Sequence, residues 1–257
     1  MPMSMTEIER TLKMLRLPGM RVALEARALQ STQGELTFID AFSALLQDEI
    51  DSRRSRRIEQ QYQRSGLKER KTMSAFDWSF NPKLPKNACF ELVTLKFIQN
   101  GEDAIIIGAP GTGKSYIAQV VAHAAIQAGY RVAYREAHKL FQEVFEATQL
   151  GRRKKALKIF SDADLFVTDD LFLRKKLPHD AADDLQEIIM DRYTARKSTF
   201  VTSNRIIEDW GQCLGDNAVA SAILDRLLHH GHLLKFEGKS YRLKEASFRL
   251  AKERRNN

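Results

Sequence analysis

Between Gly108 and Ser115 the chain reads GAPGTGKS, a glycine-rich turn closed by Lys-Ser. An apolar run, Ala104–Ile107, precedes it, and a helix-period segment through Ile117, Val121, Ala124 and Ala128 follows it. The spacing fits G-x-x-x-x-G-K-[ST], and strand-turn-helix is the context that pattern needs. Gly108, Ala109, Pro110, Gly111, Thr112 and Gly113 would curl the backbone so that successive N–H groups face phosphate oxygens. The helix N-terminus adds partial positive charge. Lys114 would reach the outer phosphates of a nucleotide, and the Ser115 hydroxyl would ligate Mg²⁺. Downstream, DADLFVTDDLF sets Asp169-Asp170 at the end of another apolar run, Leu165–Thr168. With the loop upstream, Asp169 is the candidate metal-side carboxylate, acting through water. Asp170 is the candidate that orients or deprotonates an attacking water. Taken alone the pair is a weak signal, and the alternative is a helix cap pair after a buried strand.

Two more polar elements suit the same chemistry. KSTFVTSNR places Asn204 just past an apolar run, where its amide could bond a γ-phosphate or a water; the alternative is a turn-forming Asn. AILDRLLHHGHLLKFEGKSYRLK carries Arg226 on an amphipathic segment and Arg242 after Ser-Tyr. An arginine delivered to the γ-phosphate from outside the loop stabilises the transition state, and a surface ion pair is the other reading of each. The histidines His229, His230 and His232 lack partners at metal-ligand spacing.

These residues need a scaffold. Apolar runs at Ala104–Ile107, Arg131–Tyr134, Leu165–Thr168, Thr199–Thr202 and Leu233–Phe236 alternate with helix-length segments. That alternation predicts a parallel sheet covered on both faces. The expected organisation is a helical N-terminal domain over 1–70, a linker over 71–87 and an α/β domain over 88–257. In the first, Thr37 and Asp40 open a helix whose apolar face would comprise Phe38, Phe42, Leu45, Leu46 and Ile50. The linker's Phe76, Trp78 and Phe80 would either anchor it or cover a purine ring.

Charge narrows the partners. The 257 residues carry a net +8, and the excess is clustered. Arg53, Arg54, Arg56 and Arg57 end the third helix, GRRKKALK spans Arg152–Lys155, and LRKKLP contains Lys175 and Lys176. Such runs suit phosphate backbones, and several of them in one basic chain tilt the reading toward nucleic acid over a solvated helix face. No apolar run reaches the ~20 residues that span a bilayer. The acid-bearing, amphipathic N-terminus does not read as a secretion signal. With two distant cysteines, Cys89 and Cys213, the expected setting is a reduced cytoplasm.

In this order, LRLPGM, DEIDSRRSRR, IGAPGTGKSYIA, DLFVTDD, RYTARKSTFVTSNR and ILDRLLHHGHLLKFEGKSYRL resemble the AAA+ ATPases. More narrowly they resemble the IstB-like transposition helper ATPases, relatives of the DnaC-type helicase loaders. The resemblance covers nearly the whole chain. It implies an AAA+ P-loop NTPase, a five-stranded parallel sheet between helices, with a small all-helical N-terminal domain. It implies Gly108–Ser115 as Walker A, Asp169 and Asp170 as Walker B and Asn204 as sensor 1. Arg226 would be an arginine finger acting on a neighbouring subunit, and Arg242 sensor 2. It further implies ATP and Mg²⁺ as ligands, an ATP-dependent oligomer on duplex DNA, and a transposase as partner. Two departures stand out. Asp170 replaces the glutamate of many AAA+ enzymes, and a shorter arm implies slow hydrolysis. LFLRKKLP is basic where a glycine-containing turn is usual.

Three rivals frame that expectation. A helicase loader of the same fold would prefer single strands. A small-molecule P-loop kinase would need an acceptor pocket and an arginine-rich lid, and it has no use for TSN or LDRL. A scaffold that never hydrolyses would use nucleotide only to fold.

Overall fold

The structure is a computed structural model and describes residues 3–173 and 180–256. The chain divides into two compact units, Met1–Gln61 and Tyr62–Asn257.

The first unit is helical. Helix α1 (Met5–Met14) starts at a reciprocal cap, with Ser4 N–H donating to Glu7 at 2.8 Å and Glu7 N–H donating to the Ser4 hydroxyl at 3.4 Å. Helix α2 (Pro18–Thr32) has proline in its first turn, where the missing N–H costs nothing. Helix α3 (Phe38–Ser65) opens on the Thr37 cap that the sequence predicts, with Thr37 and Asp40 also bonded to each other, and continues past Gln61 into the second unit. Leu12, Met20 and Leu24 form the small core, with Ile8, Leu17 and Leu45 against it. The expected apolar face of α3 is corrected here. Leu45 is part-buried, while Phe38, Phe42, Leu46 and Ile50 are exposed by 75%, 46%, 45% and 57%. The inward row is Ala41, Leu45 and Glu49. The buried Glu49 carboxylate accepts from the Gly19 and Met20 N–H groups at 2.6 and 3.2 Å, capping α2 and fixing which row of α3 faces in.

The second unit holds the sheet. After a short turn (Met73–Ala75), helices α4 (Lys86–Val93) and α5 (Lys96–Asn100) lead to strand β1 (Ala104–Gly108). Then come α6 (Lys114–Gln127), β2 (Val132–Glu136), α7 (Ala137–Gln149), α8 (Arg153–Asp162), β3 (Leu165–Leu171), α9 (Ala181–Thr194) and β4 (Ser198–Ser203). Helices α10 (Trp210–Leu214) and α11 (Asn217–His229), strand β5 (His232–Phe236) and α12 (Tyr241–Asn256) complete it. The five strands are parallel in the order β2-β3-β4-β1-β5. This is the sheet that the apolar runs predict. Its central strands are buried on both faces, so they read as near-continuous apolar runs. On one face α7, α8 and α9 bring in Leu140, Phe141, Val144, Phe160 and Ile188.

A buried arginine pins the two strands that matter most below. Arg192, on α9, is fully buried. Its guanidinium donates to the carbonyls of Phe160 (2.6 Å), Ala163 (2.8 Å) and Ser198, and to the Thr199 hydroxyl (3.0 Å). Burial pushes its pKa down to about 9, against the pull of Asp103 and Asp164. The planar fork satisfies acceptors on either side of the β3–β4 seam at once.

Candidate functional site

The glycine loop leaves β1 at Gly108 and enters α6 at Lys114. Gly111 and Gly113 have φ of +79° and +107°, which side chains rarely adopt. A Cβ on Gly113 would also sit 2.8 Å from the Phe76 ring. Thr112 donates to the Ala109 carbonyl at 2.8 Å and fastens the turn. The N-terminus of α6 has no side-chain cap, so its first N–H groups point into the loop unclaimed by any capping side chain. The Lys114 ammonium folds back on the carbonyls of Gly108 (2.8 Å) and Ala109 (2.9 Å). Burial lowers its pKa, and Asp170 and Asp169 oppose that.

A cleft of about 710 Å³ opens over the loop. Pro110 to Ser115, Asp170, Asn204, Tyr241 and Arg242 line it, and Lys71, Thr72, Phe76 and Phe80 form another wall. A second cavity of about 260 Å³ is lined by Ser115, Gln119, Tyr134, Asp169, Asp170 and Arg242, together with Lys68, Glu136 and Lys139. The fold therefore brings Ser115, Asp169, Asp170, Asn204 and Arg242 around the loop from β3, β4 and the start of α12. Asn204 Oδ1 is buried with no hydrogen-bond partner among the described residues. Asp170 takes φ +56°, where the β3–β4 register shifts, so its side chain faces the cleft instead of following the strand's alternation. Burial raises its pKa first and Asp169 adds to that, while Lys114 and Arg242 pull the other way.

The remaining predicted residues lie elsewhere. Arg226, near the end of α11, is not among the residues lining the cleft; its guanidinium bonds the Ala222 carbonyl and Asp225, each at 3.2 Å. Arg53, Arg54, Arg56 and Arg57 belong to the first unit. There Arg53 pairs with Glu49 at 2.7 Å and Arg56 approaches it at 3.7 Å; Arg54 and Arg57 have no ion pair among the described residues. Lys175 and Lys176 lie outside the described residues. The linker aromatics pack as anchors. Phe76 packs on Trp78 and Tyr116, with centroids 4.5 and 5.1 Å away, and also lines the cleft. Phe80 meets Tyr241 edge-on at 5.3 Å.

Sequence reasoning missed Tyr134 and Thr202. The buried Asp169 carboxylate accepts from the Tyr134 hydroxyl at 2.7 Å and, on its other oxygen, from Thr202. Thr202 left one signal: it stands two residues before Asn204, on the same side of the strand's alternation. Tyr134 left none, because β2 and β3 are joined only across two helices.

The residues fit a nucleotide and its metal. The positive-φ glycines let the loop backbone turn toward an anion, the uncapped helix end lacks the acceptor that a phosphate would supply, and the orphaned Asn204 oxygen lacks the donor that a water would supply. Ser115 and Asp169 offer the hard oxygen donors that Mg²⁺ takes. Among the described residues no cluster of three or more His, Cys, Asp or Glu could cage a metal.

Five parallel strands in this order, a glycine loop between β1 and its helix, and paired aspartates ending β3 define an AAA+ P-loop NTPase. Solved structures share the fold. The DnaC helicase loader superposes with a TM-score of 0.51 at 23% identity, covering 62% of this chain and 98% of that one. AMPPCP-bound DnaA from Aquifex aeolicus gives 0.55 at 22%, covering 67% and 51%. The chain itself belongs to the IstB-like ATP binding protein family, whose profile matches residues 10–248. Two relatives carry the description "putative ATP-binding protein". That of insertion sequence IS21 from Pseudomonas aeruginosa is 32% identical over 94% of this chain and 90% of its own length. That of IS5376 from Geobacillus stearothermophilus is 32% identical over 93% and 95%. No helix among the described residues is long and apolar enough to cross a membrane.

Proposed function

We propose that this protein is an ATP-hydrolysing switch that assembles on duplex DNA and engages the transposase of an insertion sequence. One observation carries the reading. The loop, Asp170, Asn204 and Arg242 converge on the cleft and Asp169 lines the second cavity with Ser115 and Asp170, while Arg226 stays off both and would act on another copy's cleft by exchanging its Asp225 partner for phosphate.

Each residue then has a task. Lys114 exchanges its carbonyl partners for phosphate oxygens, and the loop N–H groups hold the same charge. Ser115 and, through water, Asp169 would hold Mg²⁺, which supplies charge neutralisation at the phosphates. Asp170 accepts the proton of an attacking water that the Asn204 amide orients, and its raised pKa helps it do so. Arg242 meets the charge developing on the outer phosphate, and Arg226 from a neighbouring subunit completes the site. A γ-phosphate would tie subunits together through Arg226, so hydrolysis loosens the assembly by differential affinity. The exposed arginines of α3 support DNA binding by phosphate contact. The insertion-sequence relatives support the transposase partner.

The test is filter binding across salt on unrelated duplexes and on single strands, with and without ATP, for the parent and Lys114→Ala. The parent is expected to bind duplexes with little sequence preference, only with ATP, and with a steep salt dependence. Lys114→Ala, folded, is expected to lose ATP affinity by about tenfold or more and ATP-dependent DNA binding with it. Tight preference for single strands would favour a helicase loader. Binding indifferent to both salt and ATP overturns the DNA reading.

A further inference from the structure

Asp169 is 4% exposed, and neither of its oxygens is free of the protein. Oδ2 accepts from the Tyr134 hydroxyl on β2 at 2.7 Å, and Oδ1 accepts from the Thr202 hydroxyl on β4. An ionised carboxylate only accepts, so both hydroxyl protons must point at it. Thr202 makes a second bond. Its oxygen accepts the Asp170 N–H at 2.9 Å, at the point where the β3–β4 register shifts and Asp170 turns to φ +56°. One hydroxyl therefore sets the rotation of one carboxylate and the backbone position of the next. Thr202 is fully buried and Tyr134 is 5% exposed, so both bonds are made within the protein interior.

We infer that Tyr134 and Thr202 are positioning residues for metal-dependent nucleotide binding: they clamp Asp169 between neighbouring strands so that its remaining lone pairs face the cavity shared with Ser115. This rests on the nucleotide reading above. A carboxylate held from both sides cannot swing to follow an ion, so the ion's water shell must come to it. Outer-sphere partners of this kind change metal affinity by about 10–100-fold when removed. Thr202 carries the larger share, since its loss also frees the Asp170 amide.

The experiment measures ATP affinity of the full chain with excess EDTA and with Mg²⁺, and the spectrum of bound Mn²⁺·ATP by electron paramagnetic resonance. The variants are Tyr134→Phe, Thr202→Val and Thr202→Ser. Tyr134→Phe and Thr202→Val are expected to keep metal-free ATP affinity within about twofold. The gain from Mg²⁺ should shrink by about tenfold for Tyr134→Phe and by more for Thr202→Val, and the Mn²⁺ line shape should change. Thr202→Ser keeps the hydroxyl and is expected to match the parent in both. If Thr202→Val fails to fold, Tyr134→Phe carries the test alone, because it removes only one oxygen. Folded variants with the parent's metal gain and Mn²⁺ spectrum overturn the assignment while leaving the nucleotide reading intact. A parent that binds ATP in neither condition overturns the nucleotide reading itself.

Discussion

The cleft of the second unit and the arginine row of the first handle charge in opposite ways. Around the cleft, Asp169 is buried, oriented by two hydroxyls and backed by strands that Arg192 pins. On α3, Arg53 and Arg56 are more than half exposed and lean on a single buried carboxylate, Glu49. Buried charges interact over short, weakly screened distances and demand fixed geometry, whereas exposed ones sum over a field that salt weakens within ~10 Å. The first arrangement suits one small ligand held in one pose. The second suits a long, repetitive anion met in many registers. Single substitutions should therefore be drastic in the cleft and graded on the helix.

The largest expected effect breaks the cleft from outside. Arg226→Ala should cut turnover by about 10³-fold or more if Arg226 completes a neighbour's site. Mixing it with Lys114→Ala subunits should restore part of the turnover, since intact clefts then meet intact arginines. No recovery at any ratio, with co-assembly confirmed, would place Arg226 in a structural role. Next, Asp170→Asn keeps size and removes the proton acceptor. Turnover should fall by about 10²–10⁴-fold with ATP affinity nearly unchanged. Phosphate release at the parent's rate would show that another group activates water. The smallest effects sharpen the helix side. Arg54→Ala with Arg57→Ala should leave stability within about 0.5 kcal/mol and flatten the salt slope of DNA binding by about 0.9 for each phosphate no longer neutralised. Arg53→Ala should instead cost about 1 kcal/mol of unit stability, because Glu49 loses its paired guanidinium. Equal behaviour of the two variants in thermal melts and in salt slopes would erase the distinction.

How much of this was readable beforehand follows from where each signal resides. The glycine loop, the strand runs and the cap at Thr37 are local in sequence, so spacing alone conveys them. The choice of inward row on α3 is not local. Phe38, Phe42, Leu46 and Ile50 have the better apolar period, yet the row with Glu49 faces in because the start of α2 needs an acceptor. Asp169 was legible as a carboxylate, but its hydroxyl partners depend on register between strands far apart in the chain. Arg192 carries no local signal of its burial, and only the packed carbonyls reveal it. Arg226 could be nominated from its helix, but one copy of the chain leaves it without the phosphate it would answer.

Arg192 has a consequence for the order in which the site comes into being. Its acceptors lie before β3 and at the start of β4, and its donors arrive on α9. Until that helix docks, several backbone carbonyls at the seam would have to stay hydrated, and the strands bearing the aspartates and Asn204 would have no common reference. Once it docks, it cannot peel away alone without stranding those carbonyls and a guanidinium in an apolar interior. Helix α9 and strands β3 and β4 should accordingly open as one cooperative block in amide hydrogen exchange, and the edge of the sheet that bears the aspartates inherits the stability of its core.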